Sequence, residues 1–295
     1  MKYVFVGVFL VTTATLLSEI ANAAESAVLT PVQRTTEQST SPLRDYLVKE
    51  DASFHWHKVR EGEIAGTEYV ELILTSQTWR DIVWKHRLFV IKPEKAATNK
   101  HAILIIAGGK WKQEFADPSF KDPPAKEAVL FATLAQQLQS PVAVLLQVPQ
   151  QPIFDGKKED EIISYTFEQY LDTGDPEWPL LLPMVKSAVR GMDAVQEFCN
   201  EQWSLPIESF TVTGASKRGW TTWLAGASDL RVTAIAPMVI DMLNLGLQMD
   251  HQQDTWGKFS EQIHDYTERS LPQKMKTSAG ESLLQIVDPL AYRES

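Results

Sequence analysis

The hydrophobic pattern changes character twice along the chain. FHWHKVRE (54–61), TEYVELILTS (67–76) and VWKHRLFVIKP (83–93) are extended stretches, the second and third dense in β-branched and aromatic residues, with turn formers between them. Such runs predict an antiparallel meander at a sheet edge. HAILIIAGG (101–109) and PVAVLLQVP (141–149) are instead short, continuously apolar runs, the pattern of strands buried on both faces. Between them Ala128, Phe131, Leu134, Ala135 and Leu138 recur at helical spacing. The result is a β-α-β unit, and with it a parallel part of the sheet.

A polar loop at 155–161 precedes a long amphipathic helix from about Pro179 to Gln202, with Leu181, Met184, Val185, Ala188, Met192, Val195 and Cys199 on one side. SFTVTG (209–214) reads as a strand, a helix starts near Lys217, and RVTAIAPMVI (231–240) is a further strand. Residues 245–285 are polar and cap-like, with helix expected around Thr255 to Arg269. The prediction is a mixed, mostly parallel α/β sheet with antiparallel N-terminal strands.

The N-terminus changes the picture of location. Lys2, the apolar stretch Tyr3 to Leu17 and the small residues Ala21-Asn22-Ala23 form a secretory-signal pattern over 1–23, followed by a flexible Ser/Thr/Gln/Pro-rich segment at 24–45 and a domain at 46–295. A secreted or periplasmic protein with no membrane span after signal removal is expected; the alternative is an uncleaved anchor. A formal net charge of -10 without a dense Lys/Arg block argues against a nucleic-acid partner. The single cysteine, Cys199, rules out an intrachain disulfide and is expected to be a buried thiol.

Candidate chemistry begins at VTGASKRGWTTW (212–223), which sets Ser216 between a strand and a helix. Such a turn lifts a serine hydroxyl above the sheet and points the helix's free N–H groups and dipole at the same place. The usual G-x-S-x-G spacing is altered, because Arg218 stands where glycine is normal and the glycine comes at 219. That shift predicts a different helix crossing or an outward-pointing arginine. Ser216 reads either as a nucleophile or as a packed turn serine. Ala107-Gly108-Gly109-Lys110 follows the strand ILII, so the N–H of Lys217 with that of Gly109 or Lys110 would make a pair of oxyanion donors; the other reading is a plain strand-end turn.

The order AGG, VPQQPIF, EWPLLLPMVKSAVRGMDAVQEF, FTVTGASKRGWTTWL, IAPMVIDMLN and IVDPLAYRES resembles the PhoPQ-activated pathogenicity-related family from about Leu43 to the end. The resemblance implies an α/β-hydrolase fold, export, and Ser216 in the nucleophile position. It also implies a chain shortened at its C-terminus, lacking the last strands of the fold and the acid and histidine they carry, so that a complementing C-terminal polypeptide becomes a candidate partner.

After Ser216 only His251 and His264 follow, both in polar sequence where solvated roles are expected. Asp241 closes the strand APMVID and is either an acid facing the serine or, preferably, a helix N-cap or turn aspartate before Met242-Leu243-Asn244. His55 and His57 make an isolated H-x-H, His86 is placed in an edge strand, and His101 starts its strand at the end away from the serine. No metal or cofactor is expected. Phe154, Tyr165, Phe167, Trp178, Trp256 and Phe259 are candidates for lining a substrate pocket. Two functions stand side by side: a serine ester or acyl hydrolase acting on a small-molecule substrate, virulence-associated and weakened by its missing relay, and a non-catalytic secreted binding or signalling protein on the same scaffold.

Overall fold

The computed structural model describes residues 41–97, 100–120, 122, 126 and 128–294. The expected signal peptide at 1–23 lies outside them. Seven strands form one sheet: β1 (His55–Ile64), β2 (Thr67–Trp79), β3 (Ile82–Ile91), β4 (His101–Ile106), β5 (Val142–Leu145), β6 (Ser209–Ala215) and β7 (Val232–Met238). Their order is β1-β2-β3-β5-β4-β6-β7. The β1/β2, β2/β3 and β3/β5 ladders are antiparallel, and β4/β5, β4/β6 and β6/β7 are parallel, so the meander and the crossover unit share one mixed sheet.

The two-residue period decides what each strand contributes. In the centre of the sheet Trp84, Leu88, Val90, Leu104, Ala143 and Leu145 face one core, while Phe89, Ile91, Ile103, Val142 and Val144 face another. The smaller core is closed by Ala132 and Ala135 of α2 (Ala128–Leu138). The larger is closed by α4 (Leu181–Trp203) and α5 (Lys217–Ser228), among others. Burial on both faces is why these strands read as continuous apolar runs. Cys199 of α4 is buried, and burial pushes its thiol up to about 12, well away from a reactive thiolate.

Four expectations are corrected. Residues 42–45, assigned to the flexible segment, belong to α1 (Pro42–Val48), which Ser41 caps and which buries Leu43. The polar loop at 155–161 ends in α3 (Asp160–Thr173), a helix the sequence reading did not resolve. The tail is more helical than expected, with α6 (Leu245–Trp256), the single turns α7 (His264–Thr267) and α8 (Leu271–Lys274), and α9 (Ser278–Val287).

The fourth concerns His86, which is not on an edge: β3 is interior, and the ring is fully buried. Its Nδ1 lies 3.0 Å from the Leu146 carbonyl, which can only accept, so Nδ1 carries the proton and Nε2 faces the Ser76 hydroxyl at 2.9 Å. Burial dominates its titration and takes it down to about 4, against the opposing pull of the Leu146 and Gln147 backbone. The imidazole is a neutral structural strut.

Candidate active site

β6 ends at Ala215, and the chain reverses into α5 through Ser216, whose φ of 57° and ψ of -125° are unusual for a residue with a Cβ. Such a conformation costs on the order of 1–3 kcal/mol and must be held by its surroundings. The Ser216 N–H donates to the Met238 carbonyl of β7 at 2.9 Å, and the Trp220 N–H returns to the Ser216 carbonyl at 3.1 Å, opening the helix. Two glycines make the reversal fit. A Cβ on Gly214 would lie 2.8 Å from the Arg218 backbone oxygen, and one on Gly219 would lie 2.5 Å from Ile240 Cγ2 and 3.0 Å from both Gly214 O and Met238 O. The displaced glycine at 219 therefore lets α5 approach β6 and β7 closely. The serine itself stays exposed.

Arg218 does not point outward. It is buried, with Nε donating to the Val148 carbonyl at 2.5 Å and its two terminal nitrogens bracketing Glu159 at 2.7 and 2.9 Å. A Cβ on Gly108 would fall 2.3 Å from the guanidinium, so the AGG motif also serves to leave room for this side chain.

Glu159 gathers the rest. It caps α3 with φ 54° and ψ -129°, nearly the backbone conformation of Ser216, and it pairs with Lys217 Nζ at 2.9 Å. Gln151 Nε2 bridges it at 2.6 Å to the Gly109 carbonyl at 3.0 Å. Burial alone would raise the Glu159 carboxyl, but the Arg218 hydrogen bonds, the Arg218 and Lys217 charges and Gln151 outweigh it and hold it near 2. The serine turn and the glycine loop are thus tied through one carboxylate.

The glycine loop has a second anchor. Glu71, buried on β2, accepts Arg60 Nε at 2.7 Å and Arg87 Nε at 2.6 Å. Arg60 then donates to the carbonyls of Phe115, Asp117 and Phe120 at 2.8–3.2 Å, and Arg87 pairs with Asp122. These contacts pin the segment that follows Lys110 and Trp111.

A cavity of about 300 Å³ opens beside the turn, lined by Ser216, Lys217, Asp160 and Asp241 and walled mainly by residues 239–275. Gly109 and Lys110 lie outside its lining, exposed at the end of β4, the strand paired with β6. Lys217 is the first residue of α5, so its N–H has no acceptor within the helix and faces the same end as the serine.

The six expected aromatic pocket residues are elsewhere. Phe154, Tyr165 and Trp178 pack on each other and, through Phe154 and Trp178, on Trp79, with centroids 5.2–6.4 Å apart. Phe167 is buried against Trp220 and Tyr266, Trp256 is exposed, and Phe259 is half-buried outside the cavity. The rings that do line the cavity are Trp220 and Tyr266, the latter's hydroxyl donating to Asp160 at 3.0 Å.

Asp241 lines the cavity and accepts from Gln248 Nε2 at 3.2 Å, but it is not the N-cap of the following helix. The N-cap position is Asn244, and the side chain of the distant Asp288 accepts the N–H groups of Asn244 and Leu245 at 3.2 and 2.7 Å. His251 and His264 are exposed, next in sequence to the lining residues Gln252 and Ile263, and among the described residues no histidine lines the cavity. His55 and His57 stack at 6.4 Å on β1, and no metal-holding cluster occurs among the described residues. His101 lies between the Ser209 and Thr211 hydroxyls at 2.8 Å, at the start of β4.

The profile of a family described as PhoPQ-activated pathogenicity-related protein matches residues 43–295. Autocrine proliferation repressor protein A of Dictyostelium discoideum is 35% identical over 266 residues, covering 86% of this chain and 52% of that protein. The chain thus spans about half the length of this curated relative. Among solved structures, an acetyl xylan esterase from Paenibacillus sp. R4 superposes with a TM-score of 0.51 at 10% identity, over 84% of this chain and 71% of that one. Acetyl xylan esterase 1 from Thermoanaerobacterium sp. JW/SL YS485 gives 0.44 at 13% identity, over 88% and 80%. At such identities the likeness concerns the fold, which is of the α/β-hydrolase type.

Proposed function

Since the chain belongs to the PhoPQ-activated pathogenicity-related protein family, we propose that it is a serine ester or acyl hydrolase in which Ser216 is the nucleophile and the N–H groups of Lys217 and Gly109 or Lys110 receive the developing oxyanion. The observation that carries this reading is the strained backbone of Ser216 at the β6–α5 reversal, exposed beside a cavity. Strain in an otherwise well-packed turn is retained where it places a reactive group. Asp241 is a candidate acid on the cavity wall.

In this reading the proton relay is supplied by a further polypeptide segment carrying a histidine, and without it Ser216 attacks slowly, its proton passing to solvent water. Hydrolysis of p-nitrophenyl butanoate by the full chain, lost in Ser216→Ala and unchanged in His251→Ala and His264→Ala, supports it. Equal rates in wild type and Ser216→Ala reject it.

Export through the signal at 1–23, with a virulence-associated role outside the cytoplasm, completes the proposal. Among the described residues no helix is long and apolar enough to cross a membrane. A mature N-terminus following Ala23, read by mass spectrometry of the secreted or periplasmic fraction, tests it.

A second reading has its own support. A relative named for autocrine repression of proliferation, together with a cavity lined by no histidine among the described residues, favours a non-catalytic signalling protein built on the hydrolase scaffold. A Ser216→Ala protein that retains full biological effect on responding cells would select it.

A further inference from the structure

The cavity beside Ser216 has an uneven chemistry. Its wall is largely aliphatic, with Met242, Met249 and Met275 joined by Ile263 and Leu271, and the Trp220 and Tyr266 rings also line it. Unbranched thioether side chains adapt their shape to an apolar guest. Its charged groups are Asp160, Asp241 and Lys217, and the lysine is already held by Glu159 and Asp160, each at 2.9 Å. Carboxylates therefore outnumber ammonium groups on the lining, and the one cation is engaged. An anionic guest would meet Asp241 and the already paired Asp160, with no cation left on the lining to receive its charge, while losing its own hydration. At about 300 Å³ the space is at the small end of the ~300–1,000 Å³ typical of small-molecule sites, too small for a long lipid chain folded inside.

We propose that this cavity is the acyl site and that it selects an uncharged, unbranched aliphatic acyl group of medium length. The assignment rests on Ser216 as the attacking residue, which is one of the residues lining the cavity. Met249, half-buried on α6, forms part of the wall that limits chain length.

The test uses binding, which needs no turnover. Calorimetric Kd values are measured on the full chain for acetamide, hexanamide and adipamate, the last being hexanamide's carboxylate-terminated analogue. Hexanamide is expected to bind about two-hundredfold tighter than acetamide, from four buried methylenes at roughly fourfold each. Adipamate is expected at least tenfold weaker than hexanamide. Met249→Trp should weaken hexanamide at least tenfold, and Met249→Ala should move the preference towards octanamide. Hexanamide binding no tighter than acetamide, adipamate binding as well as hexanamide, or affinities unmoved in both Met249 variants would overturn the assignment. Ser216→Ala is expected to keep hexanamide binding, so failure of the acyl site and failure of the serine chemistry are read from different experiments.

Discussion

Arg218 and Glu159, 59 residues apart in sequence, meet in a two-pronged ion pair behind the serine turn, with nitrogen–oxygen distances of 2.7 and 2.9 Å. The pair fixes the first turn of α5 to the start of α3, and through Gln151 it reaches the Gly109 carbonyl. Positioning of the serine and of the glycine loop is thereby one structural event.

Glu159→Gln leaves a buried guanidinium without its charge partner. Glu159 is partly exposed, so the loss is moderated by solvent and is on the order of 2 kcal/mol. Because the folded carboxyl titrates near 2 and an unfolded glutamate near ~4.3, the stabilisation is complete above the unfolded value and fades as pH falls towards 2. Urea unfolding of wild type and Glu159→Gln should differ at pH 7 and converge near pH 2.5. A constant difference across that range contradicts the pairing.

His86 predicts a second pH effect of the same direction from a different cause. It is neutral in the fold down to about 4, whereas an unfolded histidine protonates near ~6.5. The unfolded state therefore binds the extra proton between these values, and stability falls as pH drops from 6.5 to 4, by on the order of 3 kcal/mol. Denaturation midpoints from pH 7.5 to 4.5 should fall more steeply for wild type than for His86→Gln.

Gly214 and Gly219 are predicted to be intolerant of a methyl group. The atoms that a Cβ would meet at Gly214 include backbone, and at Gly219 they are backbone oxygens and the Ile240 side chain. Gly219→Ala should cost about 2–3 kcal/mol, read as a lowered Tm. Gly66→Ala is a control for collision, since a Cβ there meets nothing within 4 Å, though its φ of 79° adds backbone strain of its own. A smaller Tm loss at 219 than at 66 contradicts the close-approach argument.

Much of this architecture was legible in the sequence where the signal is local. Continuous apolar runs marked β4 and β5 because both their faces are buried, and VTGASKRGW marked the strand-to-helix reversal by its small residues. What lay beyond reach depends on strand order or distant pairing. His86 sits in a recognisable strand, but only the order β3-β5 makes that strand interior. Arg218 looked like a departure from the glycine pattern because its partner, Glu159, is on another helix. Asp288 caps a helix whose start lies 43 residues earlier, so Asp241, the nearer aspartate, drew the role. The aromatic residues were assigned to the pocket by position in a loop, whereas their size drew them into packing with one another.

In the proposed function, the β6–α5 reversal presents Ser216 as an attacking group in front of anion-accepting N–H groups. A hexyl fluorophosphonate probe tests it most directly, with the adduct located by peptide mass spectrometry. Slow, time-dependent phosphonylation of Ser216 is expected in the full chain, and none in Ser216→Ala. No adduct at Ser216 after prolonged exposure, or equal labelling in Ser216→Ala, would contradict it.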